Sequence, residues 1–371
     1  MSIGEGTDKT FNIRCSTFDI RYSKSLFRSL SLSPFIALVV LLAVAVSPLK
    51  AQPLERYAFS RAQMGTQFNI VLYAPDSVRA RRAADAAFAR IDTLNQYLSD
   101  YLSESELSRL SATAGADRDV PVGGALWTVL QNAQRLADQT NGAFDVTVGP
   151  LTRLWRWAMR RGRLPPDDEL AQARAAVGYR HLVLDSVART ARLVRPGMRL
   201  DLGGIAKGYA VDEALAVLQA HGLPHALIDG GGDIRLGEPP PGKRGWRVEL
   251  STVRADGERT TEARLLARRA IATSGAAYRY VEVDGIRYSH ILDPRTGMGL
   301  TEERLVTVIA PTGMQADALA SALSVLRPDE ALVFADGLSE VAVRLIHRAE
   351  DGYRQRQSSA FEALLVSRDD R

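Results

Sequence analysis

Hydrophobic positions recur along this chain with two periods, which predict two kinds of element. Residues 76–99 begin with an Asp-Ser pair and then space apolar residues three and four apart, which predicts a long amphipathic helix. Residues 66–74 and 278–293 instead alternate apolar and polar side chains, as strands do, and Asp284-Gly285 predicts a hairpin turn in the second segment. The same patterns predict helices over 125–142, 205–222 and 315–326, a short helix after 161–170, and strands over 225–229, 304–310 and 341–347.

The order of these elements predicts the fold class. Strands and helices mix along the chain without the regular strand–helix–strand period of a doubly wound parallel sheet. We therefore expect an α+β fold, with a mixed, largely antiparallel sheet core and packed helices. No long linker interrupts residues 52–371, which we interpret as one domain.

The first fifty residues differ from the rest. Basic residues over 21–28 precede the apolar run PFIALVVLLAVAV at 34–46, and small and polar residues follow it. This arrangement is typical of a secretory signal peptide, and the run is too short for a comfortable membrane span. We predict a signal peptide over residues 1–51 with cleavage after Ala51. An uncleaved anchor and a buried helix are the alternatives.

Cysteine content and charge exclude several classes of function. The only cysteine, Cys15, precedes the apolar run, so the exported chain would have no zinc–thiolate site, iron–sulfur cluster or cysteine nucleophile. The net charge of +4 comes mostly from residues 1–51, because the remainder has 41 basic and 40 acidic residues. No nucleic-acid partner is expected, since proteins that bind nucleic acid present a basic field.

Lysine is rare after the leader. Residues 52–371 contain 39 Arg but only two Lys, Lys207 and Lys243. Lys207 lies in DLGGIAKG (201–208), after Asp201 and a glycine pair, in the first turn of a predicted helix. Free N–H groups at a helix N-terminus and a compact ammonium can bind an anion such as phosphate. The Walker spacing is absent, and an ordinary capped helix start is the alternative interpretation.

Three other segments place polar residues at the ends of predicted elements. Three glycines in DGGGD (229–233) allow close backbone approach to a ligand, or a plain turn. Asp317 and Ser321 share one face of a helix and could bind a hard cation, although an N-cap role for Asp317 is the simpler interpretation. His290 follows the predicted hairpin in SHILDPRTG (289–297), which is either a site or a loop around a structural histidine.

Taken together and in this order, the segments resemble the ApbE family of FAD:protein FMN transferases. The motifs run from about Met64 to Leu326 and are MGTQFNI, LSDYLSESELSRL, GAFDVTVGPL, DLGGIAKGYAVD, IDGGGDI, IATSGAAYRY, YSHILDPRTG, VTVIAP and ADALASAL. The resemblance implies an α+β, T-fold-like architecture and Mg²⁺ as cofactor. It also implies that FAD is the substrate: its FMN half is attached through a phosphoester to a threonine hydroxyl of a target flavoprotein, and AMP is released.

The matching motifs also imply site residues. His290 would be the base or proton carrier near the reacting phosphate, and Asp293 would orient it or bind metal. The main-chain carbonyl of Gly204 and the side chains of Asp317 and Ser321 would bind the metal; the family usually has threonine at the last of these positions. The residues implied in FAD binding are Met64, Tyr101, Ala143, Phe144, Asp145, Asp201, Lys207 and Ile291.

The resemblance further implies partners and a location. The acceptors would be exported flavin subunits of sodium-pumping NADH:quinone oxidoreductase and related complexes, and the enzyme would be periplasmic. Many relatives carry a lipobox cysteine after the apolar run. This chain has none there, so we expect a soluble or loosely membrane-associated protein without a stable transmembrane anchor. An FAD pyrophosphatase, a non-catalytic FAD-binding protein and an exported structural protein are the alternatives.

Overall fold

The computed structural model describes residues 53–254, 256–275, 280–350 and 352–365. The predicted signal peptide over 1–51 lies outside the described residues, as do residues 278 and 279, the first two of the predicted hairpin segment. The strands are β1 (Glu55–Gln63), β2 (Thr66–Ala74), β3 (Val120–Pro121), β4 (Leu182–Asp185), β5 (Thr190–Leu193), β6 (Ala226–Gly230), β7 (Asp233–Leu236), β8 (Trp246–Val253), β9 (Arg259–Leu266), β10 (Ala270–Gly275), β11 (Tyr280–Val283), β12 (Ile286–Ser289), β13 (Arg304–Ala310), β14 (Ala342–Ala349) and β15 (Gly352–Gln357).

The helices are α1 (Ser77–Leu98), α2 (Glu106–Ser111), α3 (Gly124–Gln139), α4 (Gly149–Arg161), α5 (Asp167–Ala175), α6 (Ala206–Ala220), α7 (Gly313–Val325) and α8 (Pro328–Asp336). A short 3₁₀ turn covers Tyr179–His181. Within the described ranges, none of the helices has the length and apolar character needed to cross a membrane.

Eight strands form one sheet in the order β1-β2-β6-β7-β10-β13-β14-β15, and every neighbouring pair is antiparallel. Smaller sheets comprise β3-β5-β4 and the hairpins β8-β9 and β11-β12. The β11–β12 hairpin turns at Asp284 and Gly285, which have φ angles of 51° and 76°. The prediction of an α+β fold with a largely antiparallel sheet and packed helices is confirmed.

Alternation along β2 explains how both faces of the large sheet are covered. Phe68, Ile70 and Leu72 are fully buried in the main core, which also contains the apolar faces of α1, α6 and α7. Tyr73 points to the opposite face and packs in a second core, where its ring centroid lies 6.0 Å from that of Trp246 in β8. Burial of apolar surface on both faces stabilises the sheet.

Helix α1 begins and packs as the sequence pattern predicts. The carboxylate of Asp76 accepts a hydrogen bond from the N–H of Arg79 at 2.8 Å, which satisfies one of the free donors of the first turn. Its buried face includes Ala80, Ala83 and Ala87, which have no exposed surface, so little side-chain volume separates α1 from its neighbours. The rows of small residues bring this helix close to α6.

Helices α6 and α7 cross at two glycines. A Cβ at Gly208 would overlap the carbonyl oxygen of Gly313, and a Cβ at Gly313 would overlap that of Gly208. Asp212 of α6 accepts hydrogen bonds from the N–H groups of Gly313 (2.7 Å) and Met314 (2.9 Å), which binds the start of α7 to the side of α6. The close crossing sets the distance between the polar side chains of the two helices.

The structure differs from the sequence predictions at two helices. Asp317 is not an N-cap: Thr312 caps α7 by accepting the N–H of Gln315 at 3.2 Å, and Asp317 lies buried within the helix. Helix α4 was not predicted from the sequence pattern. Its signals are a proline in the first turn and Gly162 at the end, with a φ of 65°.

We predict that Gly208→Ala lowers the free energy of unfolding by about 1–3 kcal/mol, the usual cost of overpacking. The added methyl would meet backbone of α7, which cannot move aside as a flexible side chain does. Gly124→Ala is the matched control, because a Cβ there meets nothing within 4 Å in the first turn of α3. Urea unfolding followed by circular dichroism measures both; equal stability of the two variants would contradict the crossing argument.

Candidate functional site

Two turns meet at one end of the large sheet. Met64 and Gly65 form the β1–β2 turn with φ angles of 48° and 74°. Gly231, in the β6–β7 turn of the DGGGD segment, has a φ of 69° and approaches Thr66 so closely that a Cβ would overlap its hydroxyl. Glycine is therefore required at 231 for its backbone angle and for space. The predicted flavin residue Met64 is thus placed beside the glycine-rich turn that leads to Asp233.

An ion-pair cluster lies where this turn faces the crossing of α6 and α7. The ammonium of Lys207, in the first turn of α6, pairs with Asp233 and lies 3.8 Å from Oδ2 of Asp317. The N–H of Gly208 donates to the same Asp317 oxygen at 3.1 Å. Both carboxylates are buried, with about 5% of each residue exposed. The cluster therefore contains two buried carboxylates and one cation.

Burial and mutual repulsion change the protonation of these groups. Burial raises the pKa of Asp317, against the opposing effect of Lys207 and the Gly208 N–H. Burial and the charge of Asp317 raise the pKa of Asp233 to about 7, although Lys207 opposes the rise. Burial alone would lower the pKa of Lys207, but the two carboxylates outweigh it and the pKa is raised. The lysine stays charged, and when both carboxylates are ionised they outnumber it, so that a further cation would neutralise the excess negative charge.

The three residues predicted to bind metal come together beside this cluster. Ser321 lies one helical turn after Asp317 on α7, and a Cβ at Gly204 would lie 2.7 Å from the Ser321 hydroxyl oxygen. Only glycine leaves that space open. Among the described residues there is no group of three or more His, Cys, Asp or Glu side chains able to hold a metal. The donors available are one carboxylate, one hydroxyl and main-chain carbonyl oxygen, all hard ligands that suit Mg²⁺.

The GAFD segment lies against the same place. Ala143 and Phe144 are buried, and a Cβ at Gly204 would lie 3.5 Å from the Phe144 ring. Asp145 is also buried, and its carboxylate accepts hydrogen bonds from the backbone and hydroxyl of Thr147 (2.7 Å each) and from the N–H of Tyr179 (2.8 Å). Burial raises the pKa of Asp145, against these hydrogen bonds. The Asp145 carboxylate therefore holds the backbone of the GAFD segment in place and joins it to Tyr179.

Asp201 begins the glycine-rich loop before α6. Oδ2 accepts hydrogen bonds from Nη2 of Arg156 and from the Thr152 hydroxyl, both at 2.7 Å. Oδ1 accepts the N–H of Gly203 at 2.8 Å. Both donors to Oδ2 come from α4, so this helix determines where the loop carboxylate lies.

Tyr101 lies in the connection between α1 and α2, and 76% of the residue is exposed. The guanidinium carbon of Arg156 lies 4.4 Å from the centroid of its ring. Arg156 also pairs with Asp100 at 2.5 Å. Burial and the neighbouring charge of Asp201 raise the pKa of Asp100, against the effect of Arg156. Neither residue was predicted from the sequence: Arg156 lies outside the motifs, and Asp100 lies inside LSDYLSESELSRL beside the predicted Tyr101.

The segment YSHILDPRTG leaves β12 and closes into a loop held by α4. Nε1 of Trp155, which is 1% exposed, donates a hydrogen bond to the carbonyl of Gly297 at 2.8 Å. The N–H of Ile291 donates to the Ser289 hydroxyl at 3.0 Å, and its carbonyl accepts the N–H of Leu300 at 2.9 Å. His290, between them, is exposed.

The Asp293 carboxylate forms an ion pair with Arg295 of the same loop. Its two carboxylate oxygens each lie 2.9 Å from a nitrogen of the Arg295 guanidinium. Arg295 in turn reaches the GAFD segment, where a Cβ at Gly142 would lie 4.0 Å from its Cγ. The histidine loop is therefore joined to the segment that carries Phe144.

Comparison with known proteins identifies relatives of this chain. The model of the ApbE family matches residues 64–345. A Vibrio cholerae protein named FAD:protein FMN transferase is 33% identical over 318 residues, which cover 85% of this chain and 94% of the relative. A Haemophilus influenzae protein of the same name is 32% identical over 347 residues, which cover 91% of this chain and 99% of the relative.

The fold agrees with a solved structure as well. The flavin transferase ApbE from Vibrio cholerae superposes with a TM-score of 0.75 at 32% identity, covering 84% of this chain and 100% of that chain. Sequence and fold agree over most of the length. This chain belongs to the ApbE family.

Proposed function

We propose that this protein is a Mg²⁺-dependent FAD:protein FMN transferase that attaches FMN to a threonine hydroxyl of a target flavoprotein and releases AMP. The observation that carries the proposal is the cluster of Lys207, Asp233 and Asp317 beside Ser321 and Gly204. It combines a charged ammonium with hard oxygen donors at a helix start, which is what a pyrophosphate and its metal require. The names of the relatives support flavin transfer.

Gly204, Asp317 and Ser321 would hold the Mg²⁺, which when bound neutralises charge on the pyrophosphate of FAD. Serine in place of the usual threonine retains the hydroxyl ligand. Lys207 would add a second positive charge at the pyrophosphate. Its pairing with Asp233 fixes the ammonium at the start of α6, where the positive end of the helix dipole also favours an anion.

His290 would take the proton of the acceptor. In the proposed step the threonine oxygen forms a bond to the phosphorus of the FMN half, and the bond to the bridging oxygen breaks. The electron pair of that bond leaves with AMP, and the threonine proton passes to the imidazole. Its exposure supports this role, because the attacking hydroxyl arrives on another protein.

The FAD itself would lie along the segments that the fold brings together. Met64, Tyr101, Ala143, Phe144 and Ile291 would line the flavin pocket. Asp201 and Lys207 would hold the dinucleotide. Asp145 would line the flavin pocket as part of the GAFD segment. The exposed ring of Tyr101 and the buried ring of Phe144 offer apolar surface to a flavin.

The acceptors we propose are exported flavin subunits of NADH:quinone oxidoreductase-type and related complexes. A signal peptide over residues 1–51 would carry the enzyme to the periplasm, where such subunits are exposed. The absence of a cysteine after residue 15 leaves no thiol for a lipid anchor there, so the mature domain over 52–371 would be soluble or loosely membrane-associated.

The experiment that tests this function uses purified protein, FAD, Mg²⁺ and a candidate flavin-accepting domain that contains a threonine. Flavin fluorescence on the acceptor in a denaturing gel, together with AMP release that EDTA abolishes, is the expected result. AMP and free FMN without a labelled acceptor would instead support an FAD pyrophosphatase. Bound FAD with neither product would support a non-catalytic binding protein.

We predict that His290→Ala reduces the rate of FMN transfer by about 10²–10⁴-fold, the usual contribution of a general base, and leaves FAD affinity within about twofold. His221→Ala is the control, because His221 is exposed at the end of α6, away from the proposed residues. Single-turnover labelling measures the rate, and fluorescence titration measures the affinity. Normal transfer by His290→Ala would show that its assigned role is wrong.

We predict that Ser321→Ala raises the Mg²⁺ concentration for half-maximal transfer roughly tenfold, since one oxygen ligand is lost. Ser321→Thr should keep the wild-type requirement, because threonine supplies the same hydroxyl. Activity at a series of Mg²⁺ concentrations distinguishes the two variants. An unchanged requirement in Ser321→Ala would remove this residue from the metal site.

We also predict that Mg²⁺ raises the melting temperature more at pH 8 than at pH 6. Because burial raises the pKa of Asp317 and that of Asp233 to about 7, the folded state binds more protons than the unfolded state between pH 4 and pH 7. Stability without metal therefore falls as pH rises through that range, while the metal needs ionised carboxylates. Thermal unfolding at both pH values measures the shift; Asp317→Asn should lose it, and equal shifts would contradict the prediction.

A further inference from the structure

We infer that Arg156 is a positioning residue of the FAD site, which holds Tyr101 and Asp201 in one fixed arrangement. The inference rests on the proposed function. Arg156 belongs to none of the motifs that carry the family resemblance, since GAFDVTVGPL ends at Leu151. It lies one turn further along α4, on the side that faces the loop of Asp201.

The guanidinium of Arg156 joins three segments of the chain. Nη2 donates to Oδ2 of Asp201 at 2.7 Å, and Nη1 donates to Oδ2 of Asp100 at 2.5 Å. Its guanidinium carbon lies over the Tyr101 ring, 4.4 Å from the ring centroid. A planar fork can make two hydrogen bonds at its edge and stack on a ring at its face, whereas an ammonium cannot do both.

Tyr101 depends on this contact for its position. It follows the end of α1, and its N–H donates to the Ser99 hydroxyl at 3.2 Å, but 76% of the residue is exposed. With the guanidinium against one face, the rest of the ring is open to a flat ligand. Arg156 thus holds in place an aromatic surface on which an isoalloxazine ring can stack.

Asp201 depends on the same side chain for charge balance. The Arg156 guanidinium bonds to both Asp100 and Asp201, whereas Arg199 donates to the main-chain carbonyl of Asp100 at 2.8 Å. The other donors to Asp201 are the neutral Thr152 hydroxyl and Gly203 N–H. Without Arg156 the two carboxylates would repel each other across a partly buried space. The loop of Asp201 would shift, and with it the backbone that leads to Gly204 and α6.

The contacts of Arg156 also predict which kinetic constant changes. None of its hydrogen bonds or ring contacts reaches the loop of His290, which the neighbouring Trp155 holds through Gly297. Its loss should therefore weaken FAD binding and raise KM for FAD, with a smaller effect on kcat at saturating FAD. Loss of a residue that only maintained the fold would lower the melting temperature without raising KM for FAD more than it lowers kcat.

The test compares Arg156→Met, Arg156→Lys and the matched control Arg153→Met. Arg153 lies one turn earlier on α4, is exposed, and has no ion pair within the described ranges. Fluorescence titration gives Kd for FAD, and initial rates with the acceptor give KM and kcat. We expect Arg156→Met to raise Kd about tenfold with kcat within about threefold, Arg156→Lys to be intermediate, and Arg153→Met to match wild type.

A double-mutant cycle with Tyr101→Leu decides whether Arg156 acts through the ring. Because both changes then remove the same stacking surface, the double variant should raise Kd less than the product of the two single effects. If Arg156→Met does not fold, Arg156→Lys completes the cycle, since the exposed Tyr101 tolerates substitution.

The outcomes separate this inference from the proposed function. FAD binding by wild type with equal Kd values for Arg156→Met and Arg153→Met would overturn the inference alone, as would independent effects in the cycle. A wild-type protein that does not bind FAD would overturn the proposed function and this inference with it.

Discussion

The close crossing of α6 and α7 at Gly208 and Gly313 determines how near Lys207 and Asp317 of the central cluster lie to each other. Because neither glycine has a side chain, the two backbones come near enough for the Gly208 N–H to reach the Asp317 carboxylate. The same approach brings the Lys207 ammonium within 3.8 Å of that carboxylate. A larger residue at either position would separate the lysine from the proposed metal ligands. The packing of α6 against α7 therefore also positions polar groups of the site.

The charge balance of that cluster gives the family resemblance a physical basis. One lysine faces two buried carboxylates, so full ionisation of both would leave excess negative charge in a poorly hydrated space. A divalent cation would neutralise that charge. Lys207 and the start of α6 would then bind the pyrophosphate next to the metal. The cluster is suited to binding an anion together with a cation.

Helix α4 links this cluster to the segments proposed to bind the rest of FAD and the acceptor. Trp155 holds the loop of His290, and Arg156 holds the loop of Asp201 and the ring of Tyr101. These two neighbouring side chains point to different segments because successive residues on a helix lie about 100° apart. One rigid element therefore fixes the spacing between the proposed base and the proposed dinucleotide loop.

Much of the fold follows from local patterns. The cap at Asp76, the Asp284-Gly285 turn and the alternation along β2 lie at their predicted positions, since each depends on a few consecutive residues. Helix α4 was not predicted, although Leu151, Trp155 and Ala158 follow helical spacing between Pro150 and Gly162. The N-cap interpretation of Asp317 was wrong, because Thr312 supplies the cap and Asp317 pairs with a lysine on another helix.

The sequence by itself determined the family, the fold class and the segments that carry the chemistry, because motifs and periodicity are written in neighbouring residues. Only the tertiary structure decided which of those residues touch. It places Asp145 in hydrogen bonds within its own segment, Asp293 on Arg295, and Arg156 between Asp100 and Asp201. The physical reason is that ion pairs and glycine contacts join residues far apart in the chain, and no local pattern encodes the partner.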